Sequence, residues 1–583
     1  MLRHKAGKII DWVTLGWFIV IPLFWQFDLT KSQSSFFDAF EMAPLGVIHI
    51  LVFYTLVFLR LYFKGFSLSI LLMLSLYFPV IQLFNYPFLT YRDVYVHSAP
   101  VQTILADGGL NYTRDSNPGS WPGSFNLHGI TSIVQGTDLI ISNYLLYLVI
   151  VVVLTLILYC FAKRLEQKGF KFAGYGAVLF LCLFSNYLFD FNHYARSTFE
   201  FIILFFFFFC FIFLSGRRGY ILQLIFTIVL VFTHPFASFA LIIFVISNYI
   251  LTSANKRPKK VYFVFFSIVT FVGWFMFAAF QQFQEAGYRL QTFFSPQYVT
   301  PLTQTFIAKE SVPLWGSFLR LFFRYSQISL LAIGCLFALY IIFMRFRHIE
   351  EDDTTIGLAS LVPTAIIILL SLLLLPDWQI SRFSAFAAFP AAFSVLVIPS
   401  IIPTNSKFGR LARFKSVRKS IKHFRRVFPV LLLVFVVGLS AAVMILRFEK
   451  NYYYGEITHP VELSCLSFFF SHDTNSSVGF MSYRTAVYAA YFNWRGYHEA
   501  NFVWYIDLNH MEGNSSLLLQ EEAALIDQSQ VIIRGMRDEY DFSRFSDPDI
   551  ILQTIDEEMI NPNFNRIYSN GRYSIFKKAY DSP

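Results

Sequence analysis

The sequence predicts an all-α polytopic membrane bundle of about 13 transmembrane helices that carries a small C-terminal α/β domain. Of the 583 residues, 56% are hydrophobic and only 14% are charged. A water-soluble protein has about a quarter of its residues charged. The apolar residues recur in blocks near the ~20 residues that cross a bilayer, and after residue 446 the composition becomes that of a soluble protein.

The apolar blocks define the predicted spans, whose approximate cores lie at residues 9–27, 43–62, 66–84, 139–161, 173–190, 198–215, 219–234, 236–252, 260–280, 326–344, 356–376, 383–402 and 428–446. The pair between residues 219 and 252 could be two spans that turn at His234-Pro235 or one broken helix. We therefore predict a membrane bundle over residues 1–446, with an external loop at residues 85–138, and a second domain over residues 447–583.

Charge divides unevenly along the chain and predicts the topology. Residues 1–446 hold 35 Lys and Arg against 18 Asp and Glu, whereas residues 447–583 hold 11 against 19. The basic residues occupy every second short loop, as expected of cytoplasmic loops, and residues 407–426 hold nine of them with no acid. The N-terminus is therefore predicted to be cytoplasmic and the C-terminal domain extracytoplasmic, in the plasma membrane. The basic excess reflects topology and not a nucleic-acid partner.

The tail after the last span shows mixed strand and helix patterns. Residues 478–481 and 531–534 are predicted to be strands, and residues 516–528 a helix. Asn570-Gly571 stands between two apolar/polar alternations in residues 567–577, which is the strongest short signal of a β-hairpin. These patterns predict a small α/β domain.

Asp93 and His97 follow the third span directly and stand four residues apart, so in a helix they share one face. From Pro100 the apolar positions predict a short amphipathic helix that stops at Gly108-Gly109. Such a helix would lie along the outer membrane surface and hold Asp93 at the boundary with water. The simpler interpretation is that Asp93 only caps a helix and interacts with solvent.

The later part of this loop, residues 117–128, is rich in Pro, Gly and aromatic residues and includes Trp121 and His128. We predict a non-regular surface with exposed backbone donors and a stacking Trp, which suits a sugar. The alternative is a packed connector.

Further polar turns lie on the same predicted side of the membrane. They are residues 190–200, Thr233-His234-Pro235, Arg320 with Arg324, and residues 377–382. Charged groups at the ends of spans can simply reach the interface, so each turn could be only an anchor. Gathered on one side of a bundle, they are also the expected lining of a site that faces that side.

These segments together resemble the GT-C class of integral-membrane glycosyltransferases, in particular archaeal-type members, which take sugars from polyprenyl or dolichyl phosphate. In this class the first external loop carries an acidic residue near its start and a surface-lying helix, as residues 91–107 do here. Residues 121–125 match the Pro-rich aromatic stretch that often follows. Ser381-Arg382-Phe383 resembles the Arg–aromatic start of a late span, and Thr233-His234-Pro235 and the hairpin at 565–573 also recur in the class.

The resemblance implies that a sugar moves from a lipid phosphate to a glycan or protein acceptor on the extracytoplasmic face, with inversion. Asp93 would be the general base that accepts the proton of the acceptor hydroxyl. Arg382 would stabilise the leaving phosphate, because its planar guanidinium makes two charge-assisted bonds at once. The other residues assigned to substrate binding are His97, Trp121, His128, His193, Arg196, Glu200 and His234.

No metal is assigned, although a divalent ion stays open as an alternative. The acidic residues Asp93, Asp190 and Glu200 show no spacing typical of metal ligands. Glu200 could hold either sugar hydroxyls or a metal.

Two observations limit the resemblance. The oligosaccharyltransferase of this class has a Trp-Trp-Asp-Tyr-Gly acceptor motif that is absent here, and residues 491–495 are no substitute. This argues against transfer to asparagine. A multi-spanning transporter or flippase of lipid-linked or polar substrates is the alternative, but it predicts charged residues near span centres and inverted repeats, and neither is evident. A surface protein that only binds a partner would need only one span as its anchor, which leaves the other predicted spans unexplained.

Overall fold

The computed structural model describes the chain in part, and helices dominate that part. The described residues are 2–20, 44–85, 98, 100–102, 104–105, 122–137, 139–170, 173–190, 196–233, 235–252, 258–280, 284, 353–372, 389, 392–393, 434, 438, 460–472, 478–480, 502–505, 530–535, 564–569 and 573–578.

The helices of the bundle are, in chain order, α1 (Leu2–Ile19), α2 (Pro44–Lys64), α3 (Leu68–Asn85), α4 (Gly123–Gln135), α5 (Leu139–Gln167), α6 (Ala173–Asp190), α7 (Arg196–Phe213), α8 (Gly216–Thr233), α9 (Pro235–Leu251), α10 (Pro258–Phe277) and α11 (Asp353–Leu372). Apart from α4, each overlaps one of the predicted spans. The predicted spans at 326–344, 383–402 and 428–446 lie outside the described residues, except for single helical positions such as Phe389 and Val434.

Within the described residues, three helical stretches are long and apolar enough to cross a membrane. They are Ile141–Gln167, Gly216–Thr233 and Lys260–Phe277. Shorter apolar stretches are Ile48–Phe63, Leu68–Tyr77, Ala173–Cys182, Phe199–Phe213 and Ala237–Leu251. Large apolar side chains of α10 are exposed, with Tyr262 and Phe265 74% and 68% accessible, as expected for contact with lipid. These features are those of a helical membrane protein.

The chain between residues 219 and 252 forms two helices and not one. The start of α8 and the end of α9 both lie beside the start of α10. Tyr220 of α8 meets Phe263 at a ring-centroid distance of 5.9 Å, and Lys260 Nζ donates to Asn248 Oδ1 of α9 at 2.8 Å. Helix α8 ends at Thr233 and α9 begins at Pro235, and α9 returns toward the end at which α8 began.

The turns rich in Lys and Arg gather at one end of the bundle. Phe66, in the turn between α2 and α3, stacks on Tyr159 near the end of α5 at 5.5 Å. Phe161 of α5 meets Phe213 at the end of α7 at 5.0 Å, and Lys260 lies beside α7 as well. We call this end, formed by the turns that follow α2, α5 and α7 and by the start of α10, the basic end. Within the described residues, basic loops that the sequence predicts to lie on one side of the membrane are therefore also close together in the packed bundle.

Aromatic rings pack the centre of the bundle around Phe389. Its ring centroid lies 4.5 Å from that of Phe205, 5.2 Å from Phe161 and 5.6 Å from Phe180. Because lipid tails are as apolar as these rings, packing within a bilayer is stabilised by van der Waals contact and not by removal from water. Each aromatic pair contributes about 0.5–1.5 kcal/mol. Phe389 is thereby held between α5, α6 and α7.

The tail contains helix α12 (Pro460–His472) and strands β1 (Val478–Phe480), β2 (Phe502–Tyr505), β3 (Val531–Gly535), β4 (Phe564–Ser569) and β5 (Tyr573–Lys578). The strands form one sheet in the order β2-β1-β3-β5-β4. Strand β1 is parallel to β2 and β3, whereas β5 is antiparallel to β3 and β4. Helix α12 packs against β5.

The predicted strands at residues 478–481 and 531–534 correspond to β1 and β3, and the predicted hairpin at Asn570-Gly571 joins β4 to β5. The predicted helix at residues 516–528 lies outside the described residues. Strand β2 was not predicted, because its four apolar residues show no alternation. That pattern is typical of a strand in a sheet buried on both faces.

Candidate functional site

The structure describes the side chains of two predicted site residues, His128 and Glu200, and the backbone of a third, Arg196. The others, Asp93, His97, Trp121, His193, His234 and Arg382, lie outside the described residues. Their surroundings can be inferred only from described residues that are close to them in the chain.

Helix α4 forms the centre of the candidate site. It begins after Pro122, whose φ of −75° already suits a helix, and ends at Gly136, whose φ of 62° favours glycine. Gly136 and Thr137 donate backbone hydrogen bonds to Ile133 and Ser132 at 3.2 and 3.4 Å, which closes the last turn. The helix leads within a few residues into α5.

The prediction of a non-regular surface at residues 117–128 is wrong for its last six residues, since α4 starts at Gly123. Proline and glycine indicated a loop, but Pro122 initiates the helix and its apolar spacing starts at Phe125. The buried side of α4 consists of Ser124, Phe125, His128, Gly129 and Ser132. This spacing of three and four residues is that of one helix face.

His128 fastens α4 to the start of α5. The side chain is 1% exposed, and its Nε2–H donates to the carbonyl oxygen of Leu139 at 3.1 Å. Burial lowers the pKa of His128 to about 4, and the bond to Leu139 opposes this shift only in part. The imidazole is therefore neutral at pH 7 and acts as a hydrogen-bond donor inside the protein. Direct contact between His128 and a substrate stays a prediction.

The helix predicted to follow Pro100 is confirmed at the described positions between 98 and 105, and it packs on α4. Val101 is fully buried with Phe125 and Leu139 in one small apolar cluster. A methyl group added at Gly129 would lie 3.4 Å from Cγ1 of Val101, which is ordinary van der Waals contact, so Gly129 and Val101 are direct neighbours. The two halves of the external loop are thus packed together, and Asp93 lies shortly before this helix in the chain.

The first turn of α4 also contacts the end of α8. A methyl group added at Gly123 would lie 3.2 Å from the Phe232 carbonyl oxygen and 3.3 Å from Thr233 Oγ1. Gly123, at the end of one predicted segment, therefore contacts Thr233, at the start of another. We call the end of the bundle formed by α4 and the ends of α5, α7 and α8 that it contacts the α4 end.

Glu200 lies at the level of this contact. Helices α7 and α8 are antiparallel neighbours, with Phe206 stacked on Phe226 at 5.7 Å and Gln223 Nε2 donating to the Cys210 carbonyl at 3.4 Å. Continued along the pair, this register sets Glu200 opposite the last turn of α8. The Glu200 side chain is 1% exposed. A carboxylate buried in a membrane bundle is costly, which makes it a candidate for function. Arg196 stands one turn before it on α7.

Arg382 precedes Phe389 by seven residues in the chain. Phe389 contacts Phe205 and Phe208 in the middle of α7. Phe161 of α5 contacts both Phe389 and Phe393, at ring-centroid distances of 5.2 and 5.0 Å.

Three hydroxyl groups at this end could not be recognised from the sequence. Ser98, Ser142 and Tyr144 bury their hydroxyl oxygens with no hydrogen-bond partner among the described residues. A buried hydroxyl without a partner costs about 1–3 kcal/mol, so each is a candidate for binding a polar ligand. In the sequence they resemble ordinary polar residues at the start of a helix, and only burial distinguishes them.

Within the described part of the chain, no three His, Cys, Asp or Glu side chains come close enough to hold a metal ion. No model of a known protein family matches the chain, and no curated protein is significantly similar to it. Function therefore has to be inferred from the chemistry of the α4 end.

Proposed function

We propose that the protein is a membrane glycosyltransferase that moves a sugar from a polyprenyl-phosphate donor to a glycan or protein acceptor, with inversion. The reaction would take place at the α4 end, which we assign to the extracytoplasmic side. The basic end would face the cytoplasm under the positive-inside rule. The thirteen-span topology, with the C-terminal domain outside the plasma membrane, belongs to the same proposal.

One observation carries the proposal: segments that the sequence marks as polar meet at the end opposite the basic turns. The helix at 98–105 packs on α4, Gly123 contacts the end of α8, and Glu200 lies at the same level on α7. These segments are separated by long apolar helices in the sequence. Their convergence supports a common site more strongly than independent anchoring of each turn at the interface.

Asp93 is the proposed general base. It precedes Ser98, which is buried in the described helix, by five residues, so their Cα atoms lie within about 18 Å of each other even if the chain is extended. Asp93 would take the proton from the acceptor hydroxyl as that oxygen attacks the anomeric carbon. A positioned base accelerates such a reaction by about 10²–10⁴.

Arg382 is the proposed partner of the lipid phosphate. If the chain before Phe389 is helical and comes from the α4 end, the seven residues from 382 to 389 cover about 10 Å. Since Phe389 lies beside Phe205 and Phe208, this distance would bring Arg382 to the level of Glu200. The leaving phosphate gains negative charge in the transition state, and a guanidinium stabilises that charge with two hydrogen bonds.

The remaining site residues would bind the sugar and the phosphate. Glu200 is suited to accept hydrogen bonds from sugar hydroxyls, and Trp121 to stack on a sugar face. The cationic and imidazole side chains assigned to the phosphate are His97, His193, Arg196 and His234, while His128 supports α4 from inside. The polyprenyl chain would lie among the apolar helices, next to the bilayer.

The test is sugar transfer from labelled polyprenyl phosphate in membranes that contain Asp93→Asn or Arg382→Ala. We expect transfer to slow by about 10² or more in each variant, because each loses a group that acts in the transition state. Matched controls are Asp107→Asn in the same loop and Arg217→Ala at the basic end, which should transfer at the wild-type rate. Wild-type transfer by both site variants would remove the proposed site.

A further inference from the structure

Helix α4 carries its large aliphatic side chains on the outer side. Of the five residues on its buried side, only Phe125 is both large and apolar. On the outer side, Ile130, Ile133 and Val134 are 58%, 68% and 80% exposed. A helix on the surface of a soluble protein has the reverse pattern, with its apolar stripe toward the core. We therefore expect something other than water to cover the outer side of α4.

The contacts of α4 place it across the end of the bundle. Gly123 meets the last turn of α8, and His128 donates a hydrogen bond to the carbonyl oxygen of Leu139 at the start of α5. If α4 folded back along α5, the turn at Gly136 would place His128 beside residue 146, about 10 Å further along α5. Helix α4 therefore bridges the ends of two apolar helices, and its axis lies close to the plane of the membrane.

The last two turns of α4 extend past the point at which it crosses α5. Between Ile130 and Gln135, only Ser132 is buried. The exposed fraction of the apolar side chains rises toward the C-terminal end of the helix. After Gly136 the chain turns back and begins α5 at Leu139. This part of α4 therefore projects from the edge of the bundle.

The length of α5 gives the depth of α4 in the membrane. Lys163 lies near the end of α5 at the basic end, and about 20 helical residues cross the hydrocarbon core. Counted back from Lys163, the opposite boundary of the core falls near residue 143. Leu139 then lies about 6 Å outside this boundary. Helix α4 is thus at the level of the lipid headgroups, where an amphipathic helix inserts its apolar face by about 5–10 Å.

A stripe of exposed apolar residues on α5 begins beside α4. Ile141, Leu145 and Val149 are 50%, 40% and 56% exposed and stand four residues apart, so they share one face. This face belongs to a helix long and apolar enough to cross a membrane, and it starts seven residues after Val134. Helix α4 contains no Lys, Arg, Asp or Glu. Acyl chains therefore suit its outer side better than a charged partner does.

We propose that the last two turns of α4 insert into the bilayer leaflet at this end of the bundle, with Ile130, Ile133 and Val134 among the acyl chains. The partner is the bilayer lipid, irrespective of the charge of its headgroup. Because Gly129 of α4 contacts Val101, insertion would also hold the helix at 98–105 at the membrane surface. The proposal goes beyond the proposed function and does not depend on sugar transfer.

Spin labels on single cysteines of the full-length, cysteine-free protein in phosphatidylcholine vesicles test the insertion. The site variants are Ile133→Cys and Val134→Cys. Val149→Cys is the lipid reference, and Ser471→Cys, at an exposed position of α12, is the water reference. At positions 133 and 134, collisions with a water-soluble nickel chelate should be about fivefold or more rarer than at position 471, because acyl chains exclude polar solutes. Collisions with oxygen should be as frequent as at position 149.

Gln135→Cys is the matched control, because Gln135 is the exposed polar residue of the same turn and lies on another side of the helix. Its label should meet the nickel chelate more often than the label at position 134. Nickel collisions at positions 133 and 134 that are as frequent as at position 471 would show water at this face and overturn the proposal. Rare collisions with both reagents would show that protein covers the face, which would overturn it as well.

Photo-crosslinking tests the insertion without any substitution. Wild-type protein is placed in vesicles whose phosphatidylcholine carries a diazirine in its acyl chain. Adducts should form in the peptide that contains residues 130–135, both with and without phosphatidylglycerol in the vesicles. Adducts on α5 and α10 but none on α4, or adducts on α4 only with the anionic lipid, would contradict the proposal. Asp93→Asn should give the same adducts as wild type, so failure of sugar transfer and failure of insertion are distinguished.

Discussion

His128 is a titratable side chain whose chemistry is decided by burial. It lies between α4 and α5 with Nε2–H bonded to the Leu139 carbonyl, and its pKa is lowered to about 4 from an ordinary value near 6.5. The unfolded chain therefore takes up a proton between pH 6.5 and about 4, whereas the folded protein does not. The contribution of neutral, buried His128 to the free energy of unfolding is fully present above pH 6.5. As the pH falls toward 4, the free energy of unfolding decreases by at most about 3 kcal/mol.

His128→Gln should remove this pH dependence, because Gln keeps a donor to Leu139 and cannot take up a proton. We expect the thermal midpoint in detergent to fall less between pH 7 and pH 4.5 in the variant than in wild type. His128→Leu lacks the hydrogen bond as well and should be less stable than His128→Gln at pH 7, by about 1 kcal/mol. Identical pH profiles of wild type and His128→Gln would show that His128 is not the responsible group.

Helix α4 connects the polar segments of the external loop to the bundle. It contacts α5 through His128, the helix at 98–105 through Gly129 and the end of α8 through Gly123. Its outer side carries Ile133 and Val134, which are 68% and 80% exposed next to the start of a membrane-spanning helix. The buried side of α4 carries small residues such as Ser124, Gly129 and Ser132, and α5, the helix at 98–105 and the end of α8 all pack against this short helix.

Gly123→Val should separate the start of α4 from the end of α8. A Cβ there already lies within 3.3 Å of two atoms of α8, and the two further methyl groups of Val need space that is occupied. Overpacking of this kind costs about 1–3 kcal/mol, so the thermal midpoint should fall. Sugar transfer should fall with it. The matched control is Gly273→Val in α10, where a Cβ meets nothing within 4 Å. Equal thermal midpoints for the two variants would contradict the contact.

At the scale of the whole molecule, the bundle has two chemically different ends. The basic end gathers the turns with Lys and Arg, whereas the α4 end gathers Glu200, His128 and several buried hydroxyls. Under the positive-inside rule, the site and the C-terminal sheet would face away from the cytoplasm.

Single cysteines in a cysteine-free variant test this orientation. Ser471→Cys lies at an exposed position of α12, and Arg217→Cys lies at an exposed position of the basic end. An impermeant maleimide applied to intact cells should label residue 471 and not residue 217, and inverted vesicles should show the reverse. Labelling of residue 217 from outside would overturn the topology and remove the α4 end from the extracytoplasmic face.

Local patterns predicted much of the helical bundle. An apolar block of about 20 residues can satisfy its backbone in a membrane only as a helix, so each helix that overlaps a predicted span needed no knowledge of its neighbours. The β4–β5 hairpin was predictable for a similar reason, since an Asn-Gly pair favours the tight turn of a hairpin whatever its surroundings. Helix α4 was missed because Pro122 and Gly123 were interpreted as loop residues, although proline also initiates helices.

The sequence by itself determined which long apolar segments are helical, where the basic turns lie and which residue types are available for chemistry. These properties depend on side chains within one or two turns of each other. Only the tertiary structure decided that Gly123 meets the end of α8 near Glu200, and that β1 lies between β2 and β3. Such contacts join residues that are far apart in the chain, and they depend on packing between elements, which no local pattern encodes.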